Sequence, residues 1–237
     1  MYKQKEYRLG KAIEYEEYHD GQCRELGQKR KGKEKPTKQQ VALRNQKNKE
    51  NKARRKLRMH FQTDDYFSRL SYRVDERPCD MKAALKDFSA FRRKMDREYK
   101  KRGYKLKFMR NIEVGTKNGW HVHIIVNRIP DTDLILKKAW THGIVHNQLI
   151  YDSGSFAKLA AYITKTPLTD PRLREANYNT SKNLPIPDPK PRVIRWKSFH
   201  KIKPPKGYYL EKETYYEGIN AMGYKYRTYT FLRFTRD

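Results

Sequence analysis

Cysteine is nearly absent from this chain, and acidic residues are scarce beside basic ones. Only Cys23 and Cys79 occur in 237 residues. They match no metal-ligand spacing, and two thiols cannot staple a chain this long, so a disulfide scaffold and a cysteine-based zinc site are both excluded. No run reaches the roughly 18 apolar residues of a membrane span. The opening MYKQKEYRLGK lacks the apolar core of a secretion signal. No Walker A loop is present, so no helicase motor is expected. These absences predict a soluble, cytoplasmic chain in a reducing compartment, with no membrane partner.

Positive charge and aromatic rings are abundant. There are 55 Lys and Arg against 27 Asp and Glu, a formal net charge of +28, with 18 Tyr, nine Phe and three Trp. Such an excess points to a polyanionic partner. Rings interleaved with cations suit unstacked bases, although most aromatics in any chain serve a core or a strand face.

Residues 1–27 mix charge with tyrosine and fit either a short helix or an extended arm. Residues 28–60 carry 14 Lys or Arg against Glu34 and Glu50, a net of +12. Their first part reads as a basic loop. Thr37 then precedes good helix formers, so a helix over about 38–59 is expected. Its few apolar residues suggest weak packing, or contact with nucleic acid through Arg44, Lys47, Lys52, Arg54, Arg55 and Arg58.

Residues 66–74 read as a strand, with Phe67, Leu70 and Tyr72 as inward positions. Asp80 caps a helix running to about Lys101. Its stripe is Met81, Ala84, Leu85, Phe88, Phe91, Met95 and Tyr99, and Gly103 is the stop. Strands at 105–115 and 120–127 flank the turn GTKNG and form an antiparallel hairpin. A short helix at 132–140, a strand at 141–151 and a helix at 154–166 ended by Pro167 follow. Residues 168–191 read as a loop. Strands at 193–196, 208–216 and 225–234 complete the chain, the last two joined by a turn at 218–223. This order predicts an α+β fold: an antiparallel sheet of about five strands with helices packed on it.

His121-Val122-His123 lies inside a predicted strand. Alternation sends both imidazoles to one face and Val122, Ile124 and Val126 to the other. Two imidazoles at this spacing can hold one divalent ion, and Glu113, across the hairpin, supplies the third donor. The set suits Mn²⁺ or Mg²⁺, and Zn²⁺ as well. A His-x-His pair also arises by chance, and the facing carboxylate is what strengthens the metal reading.

Tyr162-Ile163-Thr164-Lys165 lies in the predicted helix at 154–166. Phe156, Leu159, Ala160 and Ile163 form its apolar face. Lys158, Tyr162 and Lys165 line up beside it. A phenol with a reference pKa near 10 is a poor nucleophile unless its proton is shared or removed. Alone, Tyr162 reads as a packing residue. Beside a metal face and flanked by ammonium groups, it reads as a nucleophile, with Lys165 assisting and Lys158 contacting DNA.

Taken in order, Phe67–Tyr72, His121-Val122-His123 with Glu113, and Tyr162-x-x-Lys165 resemble the motifs of the HUH endonuclease superfamily. Within it they resemble the rolling-circle replication initiators of plasmids and single-stranded DNA phages. The resemblance covers roughly residues 60–200. It implies a nuclease domain over 61–200, a basic extension with a helix over 1–60, and a C-terminal strand hairpin over 201–237 packed on the nuclease domain. It implies site-specific nicking of single-stranded or hairpin origin DNA through a 5′-phosphotyrosyl link. It also implies a host helicase and DNA polymerase as partners, a bacterial cytoplasm as the setting, and a second copy of the chain as a further candidate partner, because only one tyrosine stands in the motif. A single-tyrosine transposase or a mobilisation relaxase uses the same chemistry, although relaxases usually place the tyrosine ahead of the histidines. A nucleic-acid-binding protein with structural histidines is the non-enzymatic alternative.

Overall fold

The computed structural model describes residues 1–20, 37–151, 154–165, 177–194, 199, 201–219 and 224–234. The basic loop before Thr37, the Pro167 stop, the first part of the expected loop at 168–191, the end of the strand at 193–196 and the tip of the turn at 218–223 lie outside the described residues. The fold is α+β, with two antiparallel sheets and four helices among the described residues. The chain divides into two compact units. One comprises Met1–Met59, Ser153–Ala157 and Ile186–Asp237, and the other His60–Asp152 and Lys158–Pro185.

In the first unit, residues 1–19 are neither helix nor loose arm. They form a hairpin of β1 (Tyr2–Leu9) and β2 (Ala12–His19). The cause is visible in cross-strand partners. Lys5 faces Glu16 and Leu9 faces Ala12, so charge meets charge and apolar meets apolar. Gly10 turns the hairpin at φ +58°, and a Cβ there would lie 2.9 Å from the Arg58 carbonyl oxygen. The helix α1 (Lys38–His60) starts on a reciprocal cap: Gln40 N donates to Thr37 Oγ1, and Thr37 N donates to Gln40 Oε1. Three short strands, β8 (Arg192–Ile194), β9 (Tyr208–Leu210) and β10 (Tyr216–Ile219), and the longer β11 (Lys225–Arg233) complete the sheet, in the order β10-β11-β2-β1-β8 with β9 also on β11. The stretch 208–216, expected as one strand, is broken by a turn of 3₁₀ helix at Lys212–Thr214.

The far half of α1 is not weakly packed. Ala53 and Leu57 are fully buried, and Arg54, Arg55 and Arg58 converge on the buried carboxylate of Glu14. Arg55 also reaches Glu16. Three of the six cations expected on nucleic acid are therefore turned inward by an acid on β2. Arg44, Lys47 and Lys52 remain exposed.

In the second unit, a five-stranded sheet runs β6-β3-β5-β4-β7. It is built from β3 (Tyr66–Ser71), β4 (Phe108–Gly115), β5 (Gly119–Val126), β6 (Val145–Leu149) and β7 (Tyr178–Thr180). The last of these lies inside the stretch read as loop. Its asparagine-rich sequence carries no strand pattern, and β4 supplies the pairing. The helix α2 (Met81–Lys101) begins on Asp80, whose side chain accepts from Ala83 N. It ends in a Schellman turn, with Tyr104 N on the Tyr99 carbonyl and Gly103 N on the Lys100 carbonyl, Gly103 having φ +79°. Its stripe joins α3 (Thr132–Ala139) and the even-numbered residues of β5 in one core, with Phe88, Phe91, Met95, Trp120, Val122, Ile124 and Leu136 buried.

Alternation then fixes the opposite face. Glu113 lies directly across from His121, and Asn111 from His123. On the other side of β5, Arg69 pairs with His123 and Phe67 with Ile125. Phe67 thus belongs to the histidine face, not to the core with Leu70 and Tyr72 as expected. Residues of opposite parity on one strand cannot share a side.

Candidate metal centre and nucleophile

Three donor atoms converge on this face. Glu113 Oε2 lies 3.5 Å from His121 Nε2 and 3.7 Å from His123 Nε2. One ligand atom from each of the three residues lies within 4.8 Å of the others. The hairpin makes this possible. Thr116–Asn118 form a single 3₁₀ turn with Lys117 and Asn118 at φ 56° and 57°, which sets the register that places Glu113 opposite His121.

The protonation of the donors suits a cation. His121 Nδ1 lies 2.9 Å from the Gly119 carbonyl oxygen. A carbonyl only accepts, so Nδ1 carries the proton and the Nε2 lone pair faces Glu113. Burial pushes His123 down to about 4, so it is neutral at pH 7, as a ligand must be. Burial works against the Glu113 charge. The hydrogen bond with His121 and the charges of His123, His121 and Lys165 outweigh it, and the carboxyl stays below its ordinary range. Two imidazoles and a carboxylate can therefore hold a divalent metal ion.

The tyrosine of the last helix reaches this cluster. In α4 (Ala157–Thr164), Ala160 and Ile163 are buried while Tyr162 is 42% exposed. Its hydroxyl lies 3.0 Å from His123 Nε2. Phe67 stacks on the His123 ring at 5.5 Å and meets the Tyr162 ring edge-on at 5.8 Å, which restrains both. Burial, then the charge of Glu113, raises the phenol above its ordinary value, while Arg69 opposes them. Lys165 stands just beyond the helix end with an exposed side chain, so it is not part of a helical row with Lys158 and Tyr162. Lys158 lies on the exposed side of α4.

The sequence reading missed two buried amides. Asn111 Nδ2 donates to Glu113 Oε1 at 3.1 Å and to the Lys165 carbonyl at 3.0 Å, and its Oδ1 accepts from Asn177 Nδ2 at 2.9 Å. Asn111 therefore ties a metal-facing carboxylate to the end of the tyrosine helix. Its position two residues before Glu113 on the same strand face was the available signal. Asn177 sits in the stretch read as loop, where no periodicity marked it.

Residues 65–167 match a family model of replication-associated proteins, the ORF2 type. The match runs from the start of β3 through α4, and so includes Glu113, His121, His123, Tyr162 and Lys165, while leaving more than half of the chain outside it. No curated protein and no solved structure matches the chain. The similarity to a replication-associated family thus falls on the segment that carries the donors and the tyrosine. Among the described residues, no helix is long and apolar enough to cross a membrane.

Proposed function

We propose that the chain is a site-specific, metal-dependent endonuclease of the HUH type that nicks single-stranded or hairpin origin DNA and so starts rolling-circle replication. The observation that carries this reading is the Tyr162 hydroxyl, 3.0 Å from a nitrogen of the Glu113–His121–His123 cluster. The match to a replication-associated family over the same residues supports the biological setting.

Glu113, His121 and His123 would hold the metal ion. When bound, a divalent ion there supplies Lewis-acid polarisation of a phosphate oxygen, with Mn²⁺ or Mg²⁺ the expected occupant. The residues do the rest. Phe67 and the buried side of α4 hold the phenol at the face, so attack needs little reorganisation. The His123 Nε2 lone pair serves one partner at a time: as a metal ligand, it must release the Tyr162 hydroxyl. The phenol loses its proton to solvent, its oxygen bonds to phosphorus, and the bond from phosphorus to the 3′-oxygen breaks. The departing oxygen takes up a proton to become a 3′-hydroxyl. One phosphodiester is exchanged for one tyrosyl ester, so the strand can be rejoined without ATP. Arg69 and Lys165 place positive charge beside the reacting phosphate.

The test is incubation of the protein with end-labelled single-stranded DNA libraries and Mn²⁺, followed by a denaturing gel. A retarded covalent species that needs the ion is expected. Its absence across libraries that contain hairpins would overturn the reading.

A further inference from the structure

The near half of α1 has no evident role in the fold. Lys38–Arg44 are exposed apart from half-buried Val41, and Leu43 is 72% exposed. An isolated helix this short is marginal in water. It is maintained here as the continuation of an anchored far half, where three arginines grip Glu14, and by the Thr37–Gln40 cap at its start. At about 1.5 Å per residue, the 23-residue helix is roughly 34 Å long, and its first half about 18 Å.

The chemistry of this half is selective. No carboxylate occurs between Thr37 and Glu50. Gln40, Arg44, Asn48 and Lys52 follow one another at four-residue steps, so they lie along one side of the helix, and all four are exposed. Arginine pairs bidentately with guanine, and Gln and Asn with adenine, in the major groove of B-form DNA, which is wide enough for a helix. Lysine at the border meets phosphate. Three other polyanions or partners fit less well. Single strands are gripped by stacking on aromatic rings, and residues 38–59 contain none. The major groove of duplex RNA is too narrow for a helix. A protein partner would want an apolar stripe, and only Val41, Ala42 and Leu43 are apolar before Ala53.

We propose that the first half of α1 docks in the major groove of duplex DNA, where Gln40, Arg44 and Asn48 face base edges and Lys52 a phosphate. This goes beyond the nicking reading, because it gives the chain a second, double-stranded DNA specificity that does not depend on cleavage.

The experiment is selection from a random duplex pool by the full-length protein in EDTA, then anisotropy titration of the selected duplex. Titrations of scrambled duplex, the single strand of the same sequence, and duplex RNA accompany it. EDTA separates the two readings: a protein that never nicks can still pass, and one that nicks can still fail. A short enriched motif is expected. Arg44→Ala should lose about tenfold or more on the selected duplex and little on the scrambled one. Lys52→Ala should weaken both alike and lower the salt slope by about one. These sites are exposed and alanine favours helix, so far-ultraviolet circular dichroism should stay unchanged. The proposal is overturned if no motif is enriched, if single strands or duplex RNA bind as tightly as the selected duplex, or if folded Arg44→Ala keeps its preference.

Discussion

Replacing Asn111 with alanine should weaken metal binding without touching a metal-facing donor. Asn111 is fully buried and makes three side-chain hydrogen bonds, to Glu113, to the Lys165 carbonyl and from Asn177. The bond to Glu113 Oε1 restrains the carboxylate whose other oxygen faces both imidazoles. Loss of such an outer partner typically costs 10–100-fold in metal affinity, equivalent to about 1.4–2.7 kcal/mol. Stability should fall as well. Asn177 Nδ2 loses its acceptor at 2.9 Å and keeps only a contact of 3.4 Å to the Lys165 carbonyl. An under-satisfied buried amide costs about 1–3 kcal/mol, which leaves a protein of ordinary stability folded. Calorimetric titration with Mn²⁺, beside a thermal melt without metal, measures both effects. If folded Asn111→Ala binds Mn²⁺ within twofold of wild type, Asn111 does not support the site and the reasoning fails.

Three further outcomes follow from the same geometry. The double variant His121→Ala/His123→Ala should give no Mn²⁺ binding isotherm, and binding equal to wild type would remove the metal centre from the account. Tyr162→Phe should bind Mn²⁺ about 2–10-fold more tightly, because His123 Nε2 no longer gives up a hydrogen bond worth about 0.5–1.5 kcal/mol; weaker binding in the same titration would contradict this. Glu14→Gln should cost about 3–5 kcal/mol, since three buried guanidiniums lose their common anion, and a urea unfolding curve shifted by under 1 kcal/mol would refute it. Burial opposes the Glu14 charge, but Arg54, Arg55 and Arg58 outweigh it and hold the carboxyl below its ordinary value. A depressed carboxylate contributes stability above about pH 4.3 and loses it as pH falls through the folded value, so the acid-side loss should be shallower in Glu14→Gln than in wild type.

The parts of this fold that were legible in sequence are those with strong local periodicity. The stripe from Met81 to Tyr99 and its flanking Asp80 and Gly103 give α2 nearly to the residue. The alternation in β4 and β5 is enough to put Glu113 across from His121. Where tertiary partners decide, local pattern failed. Glutamates at 14, 16 and 17 hide a strand whose acids are neutralised by arginines some 40 residues away in α1 and by Arg227 in β11. The same acids explain why Arg54, Arg55 and Arg58 looked like a solvent-facing basic row and are not one. Tyr178–Thr180 became a strand only because β4 offered an edge. Asn111 and Asn177 serve the site through hydrogen bonds between distant segments, which no periodicity records.

The central claim is that Tyr162 is the residue joined to DNA. The most direct measurement is protease digestion of the adduct trapped on a labelled single strand with Mn²⁺, followed by mass spectrometry of the DNA-linked peptide, in wild type and Tyr162→Phe. Tyr151, which is 76% exposed, and Tyr178, beside Asn111 in the sheet, are the internal competitors. The account predicts one linked peptide, the one containing Tyr162, and no adduct in Tyr162→Phe. A link at Tyr151 or Tyr178, or an adduct of undiminished yield in Tyr162→Phe, would contradict it.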